Sequence, residues 1–209
     1  MRDVVVIGAG FAGIGMAVAL KRAARHDFVV LERAGGLGDT WSTPGGPAAF
    51  PSYSFESYAD WSRGFAVPPG FGEYLRHCAD EHEVKPHIRF GAEAASAVYD
   101  ESAGAWSVAT ADGGGYSARA LVAASPGLAV SGPLAYRLDG DDLSAGAIES
   151  RIRSVAADLS NPPAPGAGAA HQPRTSVLGG LRTRLRRLLW SVGGCAGWYL
   201  DRHGGRPGQ

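Results

Sequence analysis

The chain lacks a net charge of either sign: twenty Lys and Arg are matched by twenty Asp and Glu. A protein that gathers nucleic acid or an anionic membrane surface through its overall field carries an excess of positive charge, so neither partner is expected. Cysteine is scarce, with Cys78 and Cys195 alone in 209 residues. Two thiols cannot build a disulfide framework, and a reducing cytoplasm is the default compartment. Long apolar runs are missing too, since none approaches the ~18 residues of a membrane span. Residues 1–7 lead straight into a strand pattern without a basic segment and cleavage site, so no secretory leader is expected. Metal-ligand spacings such as CxxC or HxxxH are absent. His77, His82 and His87 recur at intervals of five, which does not place them on one helical face, and they are expected on a solvated surface.

What is present begins with a buried β-branched run at Val4, Val5, Val6 and Ile7, suited to a strand covered on both faces of a parallel sheet. A helix over 11–25 follows, with Ala12, Met16 and Leu20 on one side. Residues 28–31 repeat the buried strand pattern. The three elements form a β-α-β unit whose right-handed crossover makes the strands parallel. Periodicity is lost between 35 and 72, where Gly, Pro and aromatics dominate. A helix is expected over 72–83 and a short strand over 88–90. Residues 94–99, 106–110 and 116–119 look like three antiparallel strands with turns at 100–104 and 112–115. A separate buried strand is expected over 121–124. Ile148, Ile152, Val155 and Leu159 mark a helix with one apolar stripe. Residues 160–173 are rich in Pro, Ala and Gly and read as a linker. Leu178, Leu181, Leu185 and Leu188 mark a last helix, with Arg182, Arg184, Arg186 and Arg187 on a face expected to be solvated.

The expected fold is α/β: a Rossmann-type dinucleotide-binding domain, a parallel sheet carrying an antiparallel β-meander, followed by C-terminal helices. The chemistry sits in Gly8, Ala9, Gly10, Phe11, Ala12 and Gly13, a G-x-G-x-x-G placed between strand and helix. Gly8 permits the tight turn, Gly10 removes the Cβ that would obstruct a pyrophosphate, and Gly13 lets helix and strand pack closely. The helix N-terminus offers free N–H groups and partial positive charge to the phosphates. Glu32 ends the second strand about 20 residues further on, where an acid meets ribose hydroxyls. It would repel a 2′-phosphate, which favours FAD or NAD over NADP.

Glu32, Arg33, Ala34, Gly35, Gly36, Leu37, Gly38, Asp39, Thr40 and Trp41 resemble the "ER…GGTW" segment of the flavin-containing and Baeyer–Villiger monooxygenases. The likeness continues through Pro44 and Gly45, through 51–55, 60–63, Tyr74 and Leu75, and 88–91. It reaches Leu121, Val122, Ala123, Ala124, Ser125, Pro126 and Gly127, similar to the family's "LVxATG" strand. The resemblance implies FAD as cofactor, with Gly8, Gly10, Phe11, Ala12, Gly13, Glu32, Arg33, Gly38, Thr40 and Trp41 as its binding residues. It implies NADPH as electron source, although no second strand-fingerprint-helix unit and no F-x-G-x-x-x-H-x-x-x-W signature occurs in these 209 residues. Gly132 and Pro133 look like the "GP" that follows the family's last FAD-domain strand. Ala147, Ile148, Glu149 and Ser150 look like its "MIES" helix, and 194–201 its "GCxSWYLD" ending.

On this reading 1–126 is an N-terminal FAD-binding segment and 127–159 a candidate second segment, joined near 125–128. Residues 160–173 are the linker and 174–209 a C-terminal helix and tail. Asp39 stands where the family carries Gly, and Ala49 where Baeyer–Villiger members carry an active-site Asp. Cys195 has no basic partner that would make it a nucleophile. Three functions follow as expectations. One is a flavin monooxygenase acting on ketones or heteroatoms, supplied with electrons by a separate reductase or NADPH-domain chain. The others are a non-catalytic FAD-binding remnant and an interaction module with a vestigial flavin site.

Overall fold

The structure is a computed structural model that describes residues 1–38, 52–58, 70–125, 128, 130–138 and 144–161. All of these lie in one unit, Met1–Ser176; the second unit, Val177–Gln209, falls outside the described residues. So do residues 162–173 of the expected linker, the arginine-bearing helix, the "GCxSWYLD" resemblance, Asp39, Ala49, Pro126, Gly127 and Cys195; Ser160, expected to open the linker, ends a helix instead.

Strand β1 (Arg2–Ile7) pairs in parallel with β2 (Phe28–Leu31), and β2 with β3 (Ile88–Arg89). On its other side β1 pairs in parallel with β6 (Gly115–Ala123). Two antiparallel strands, β4 (Ala94–Asp100) and β5 (Ala105–Thr110), extend the sheet beyond the first half of β6. The order is β3-β2-β1-β6-β5-β4, with β7 (Ala135–Arg137) paired in parallel to the end of β6. The parallel sheet with its meander is the expected architecture.

One expectation is corrected. Residues 116–119 and 121–124 are not separate strands, because β6 runs unbroken from Gly115 to Ala123. Its pattern changes midway: the first half alternates and pairs with β5, whereas Leu121, Val122 and Ala123 are buried together between β1 and β7. A change from one covered face to two covered faces reads in sequence like two elements. Gly132 and Pro133 lie between β6 and β7, a strand the sequence pattern did not indicate. Trp106 fixes them there: its indole Nε1 donates to the Pro133 carbonyl at 2.8 Å, and its ring leaves no room for a Cβ on Gly132.

Val4, Val6, Phe28, Val30, Ala120 and Val122 face the helices α1 (Phe11–Arg22), α2 (Phe71–Glu81) and α3 (Ala145–Ser160). Val5, Ile7, Val29, Leu31, Leu121 and Ala123 face a second core built with Ala97, Trp106 and Val108 of the meander. Period-two alternation sends neighbouring residues of one strand into two cores, so a β-branched residue is favoured at every position. Helix α1 is buried nearly all round, because the sheet lies on one side and α3 on the other. Gly15 allows this. A Cβ there would come 2.8 Å from Ile152 Cδ1 and 2.9 Å from Tyr53 Cε1. The stripe predicted for α3, Ile148, Ile152, Val155 and Leu159, is buried, and Glu149 is buried with it. Asp100 and Asp112 secure the meander turns. Asp100 accepts from Ser102 Oγ and N and from Ala103 N; Asp112 accepts from Thr110 Oγ1 and Gly114 N. These bonds hold both carboxyls below their ordinary range.

Candidate dinucleotide site

The glycine-rich turn sits at the carboxyl ends of β1, β2 and β6, where open α/β sheets form their ligand crevices. Gly8 has φ +101° and its N–H donates to the Leu31 carbonyl at 2.8 Å, which turns the chain sharply out of β1. The three fingerprint glycines meet different demands. A Cβ on Gly13 would lie 1.8 Å from the Gly8 carbonyl oxygen, so contact between helix and turn excludes any side chain. A Cβ on Gly8 would come 3.2 Å from the Ala124 carbonyl oxygen at the end of β6. Among the described residues, a Cβ on Gly10 would meet no atom within 4 Å. Neither contact with these residues nor a positive φ requires glycine at position 10, and the space beside it is open among them.

Gly10 is the N-cap of α1 and supplies no capping side chain, and the first turn holds no acid. The leading N–H groups of a helix have no acceptor within the helix itself. Here they follow directly on Gly10, with the positive end of the helix dipole behind them. The turn therefore has the geometry and polarity of an anion-binding terminus.

Glu32 behaves differently from the simplest expectation. Its Oε2 accepts from Ala9 N at 2.7 Å and its Oε1 from Ala34 N at 2.9 Å. The carboxylate ties the glycine turn to the loop after β2. An ionised carboxylate offers about four acceptor positions, so two remain for ligand hydroxyls. Beside it opens a groove of about 150 Å³ lined by Gly8, Glu32, Arg33, Glu93, Ser125 and Leu128, among others. Glu93, Ser125 and Leu128 were missed in sequence. They stand just past β3 and β6, and the rule that ligands gather at carboxyl strand ends would have pointed to them.

Of the ten residues singled out, Gly8, Gly10, Phe11, Ala12, Gly13, Glu32, Arg33 and Gly38 are described; Thr40 and Trp41 lie outside the described residues. Phe11, though first in α1, is turned inward and stacks on Tyr53 with centroids 4.1 Å apart. Arg33 is exposed at the groove. Gly38, with φ +80°, lies against Gly72 at the start of α2.

The histidines are not the solvated set expected. His77 Nε2 lies 3.1 Å from Glu56 Oε1, and His82 Nε2 lies 3.7 Å from Glu56 Oε2. His87 stacks on Phe28 at 4.1 Å. Residues 77 and 82 converge because α2 ends at Glu81 and the chain turns back toward Glu56. Among the described residues no cluster suits a metal ion. Cys78 is buried beneath them, where desolvation raises its thiol to about 12 and makes it inert.

The class defined by this fold and turn is matched by a family described as NAD(P)-binding Rossmann-like domain, over residues 6–77. More particular relatives are oxygenases. A Baeyer-Villiger monooxygenase of Streptomyces coelicolor is 41% identical over 117 residues, covering 53% of this chain and 22% of that protein. FAD-binding monooxygenase stcW of Emericella nidulans is 34% identical over 113 residues, covering 50% and 19%. A cyclohexanone monooxygenase variant from Rhodococcus sp. Phi1, solved with NADP+ bound, is 33% identical at a TM-score of 0.50. That match covers 59% of this chain and 26% of the solved one. The chain is thus similar to Baeyer–Villiger-type flavin monooxygenases over about half its own length, and it spans about a quarter or less of theirs. No helix among the described residues is long and apolar enough to cross a membrane.

Proposed function

We propose that this chain binds FAD as the dinucleotide-binding unit of a flavin-dependent monooxygenase, an oxidoreductase oxygenating ketones or heteroatoms. On this reading NADPH is the electron source and reaches the flavin through a separate reductase or NADPH-domain chain. The observation that carries the reading is the open space beside Gly10, set against the tight packing at Gly8 and Gly13. A glycine whose missing side chain would touch none of the described residues, at the N-terminus of a helix, suits close approach by a pyrophosphate. The names of the relatives, FAD-binding and Baeyer–Villiger monooxygenases, support FAD as the dinucleotide.

When bound, the flavin supplies electron transfer to dioxygen. The chain's own work is to hold and orient it. The first turn of α1, from Gly10 to Gly13, receives the diphosphate through N–H groups and the helix dipole. Glu32 uses its remaining acceptor positions on ribose hydroxyls, and its charge disfavours a 2′-phosphate. The resemblance adds Arg33, Gly38, Thr40 and Trp41 to the residues that would hold the cofactor.

Titrating the purified chain with FAD and with NADP+ tests the assignment. FAD is expected to bind more tightly and to give a yellow complex. Equal affinity, or preference for NADP+, would overturn the assignment of this Rossmann unit.

A further inference from the structure

Helix α3 reaches the phosphate-binding turn through a short loop. Glu149 on α3 is buried, yet it carries a carboxylate that must be satisfied. Its Oε1 accepts from Ser54 N and its Oε2 from Ser54 Oγ, each at 2.6 Å. The exposed Arg153 stands 3.6 Å from Oε2. Bonds to a charged acceptor are the stronger kind, so Ser54 is firmly placed. Its neighbour Tyr53 is buried against α1. The Tyr53 phenol donates to the Phe11 carbonyl at 2.6 Å, and its ring stacks on Phe11 with the planes 7° apart. The Tyr53 N–H donates to Tyr74 Oη, which fixes the loop on α2 as well.

We propose that Tyr53 and Glu149 are positioning residues for the phosphate-binding turn. The Phe11 carbonyl belongs to the same planar peptide as the Ala12 N–H, so holding one end fixes the aim of the other. That N–H lies in the first turn of the helix that Gly10 caps, among the donors that have no acceptor within the helix. A hydrogen bond received at the carbonyl also polarises the peptide and strengthens its N–H as a donor. Glu149 acts at one remove, by seating Ser54 and therefore Tyr53. Gly15 permits the arrangement, because any side chain there would displace both Tyr53 and Ile152.

The inference rests on the dinucleotide reading, and the test separates the two. Wild type, Tyr53→Phe, Glu149→Ala, Glu149→Gln and Ser54→Ala are titrated with FAD, ADP and adenosine. Tyr53→Phe keeps the stacked ring and loses one bond, so FAD and ADP should bind about 5-fold more weakly, with adenosine unchanged. Glu149→Ala should weaken the same two ligands at least as much. Glu149→Gln should restore most of the loss, since an amide can accept from Ser54 N–H and donate to Ser54 Oγ. Ser54→Ala, which removes one of the two bonds, should fall between wild type and Glu149→Ala. Should Glu149→Ala fail to fold, Glu149→Gln, Ser54→Ala and Tyr53→Phe carry the test. Unchanged ADP affinity in Tyr53→Phe would overturn the proposal, as would a loss of adenosine binding equal to that of ADP. A wild type that binds ADP but prefers NADP+ to FAD would overturn the FAD reading and leave the positioning result standing.

Discussion

Gly38 and Gly72 touch backbone to backbone: a Cβ on Gly38 would come 2.3 Å from the Gly72 Cα. The contact seats the loop after β2 on the first turn of α2, and Arg76 of that helix donates to the Leu37 carbonyl at 3.0 Å. Gly38→Ala meets two penalties, the steric overlap and a φ of +80° that L residues rarely adopt. It is expected to cost at least about 2 kcal/mol, read as a lowered urea midpoint. A variant as stable as wild type would mean that the two backbones stand further apart.

Gly13→Ala should be worse. Its Cβ would sit 1.8 Å from the Gly8 carbonyl oxygen, and backbone cannot yield as a flexible side chain can. A loss of about 3 kcal/mol or more is expected, enough to leave a marginal domain largely unfolded. Circular dichroism melting checks it; a cooperative transition near the wild-type midpoint would contradict it.

The β-α-β unit was legible because Val4 to Ile7 and Phe28 to Leu31 are buried on both faces and so read as unbroken apolar runs. The meander was legible from alternation and from turn residues that the structure uses, Asp100, Asp112 and Gly113. Strand β7 was not, since Ala135, Tyr136 and Arg137 are half-buried or exposed and too few to show a period. The bond between Glu149 and Ser54 was not legible for another reason. The two residues meet across a gap of sequence that no local pattern spans, and a glutamate on a helix ordinarily reads as surface.

Trp106 ties the meander to the stretch leading into β7. Trp106→Phe should keep most of the packing but lose the bond from Nε1 to the Pro133 carbonyl. The expected cost is about 1 kcal/mol of stability. Hydrogen exchange should show faster opening of β7 than of β1, and equal protection in both would argue against this anchoring.

Acidification should weaken the fold through His82. Burial, and then the nearby Arg22 charge, lower its pKa, with His77 adding in the same sense; Glu56 and Glu81 oppose. Among the described residues its Nε2 finds no hydrogen-bond partner. The unfolded chain therefore takes up the proton first as pH falls. The stability that neutral His82 confers is whole above its ordinary value of 6.5 and is lost below it, completely once the lower folded value is passed. Denaturation midpoints from about pH 7.5 to about pH 5 should drop less steeply in His82→Gln than in wild type. Parallel slopes would assign the acid sensitivity to other groups.

The most direct test of the dinucleotide site is Gly10→Val, assayed for stability and for FAD binding in the same preparation. Among the described residues the position meets no atom within 4 Å of an added Cβ, so the variant should fold with a denaturation midpoint close to wild type. A branched side chain there would occupy the space of the pyrophosphate, so FAD binding should be abolished. A folded Gly10→Val chain that binds FAD as tightly as wild type would contradict the account at its centre.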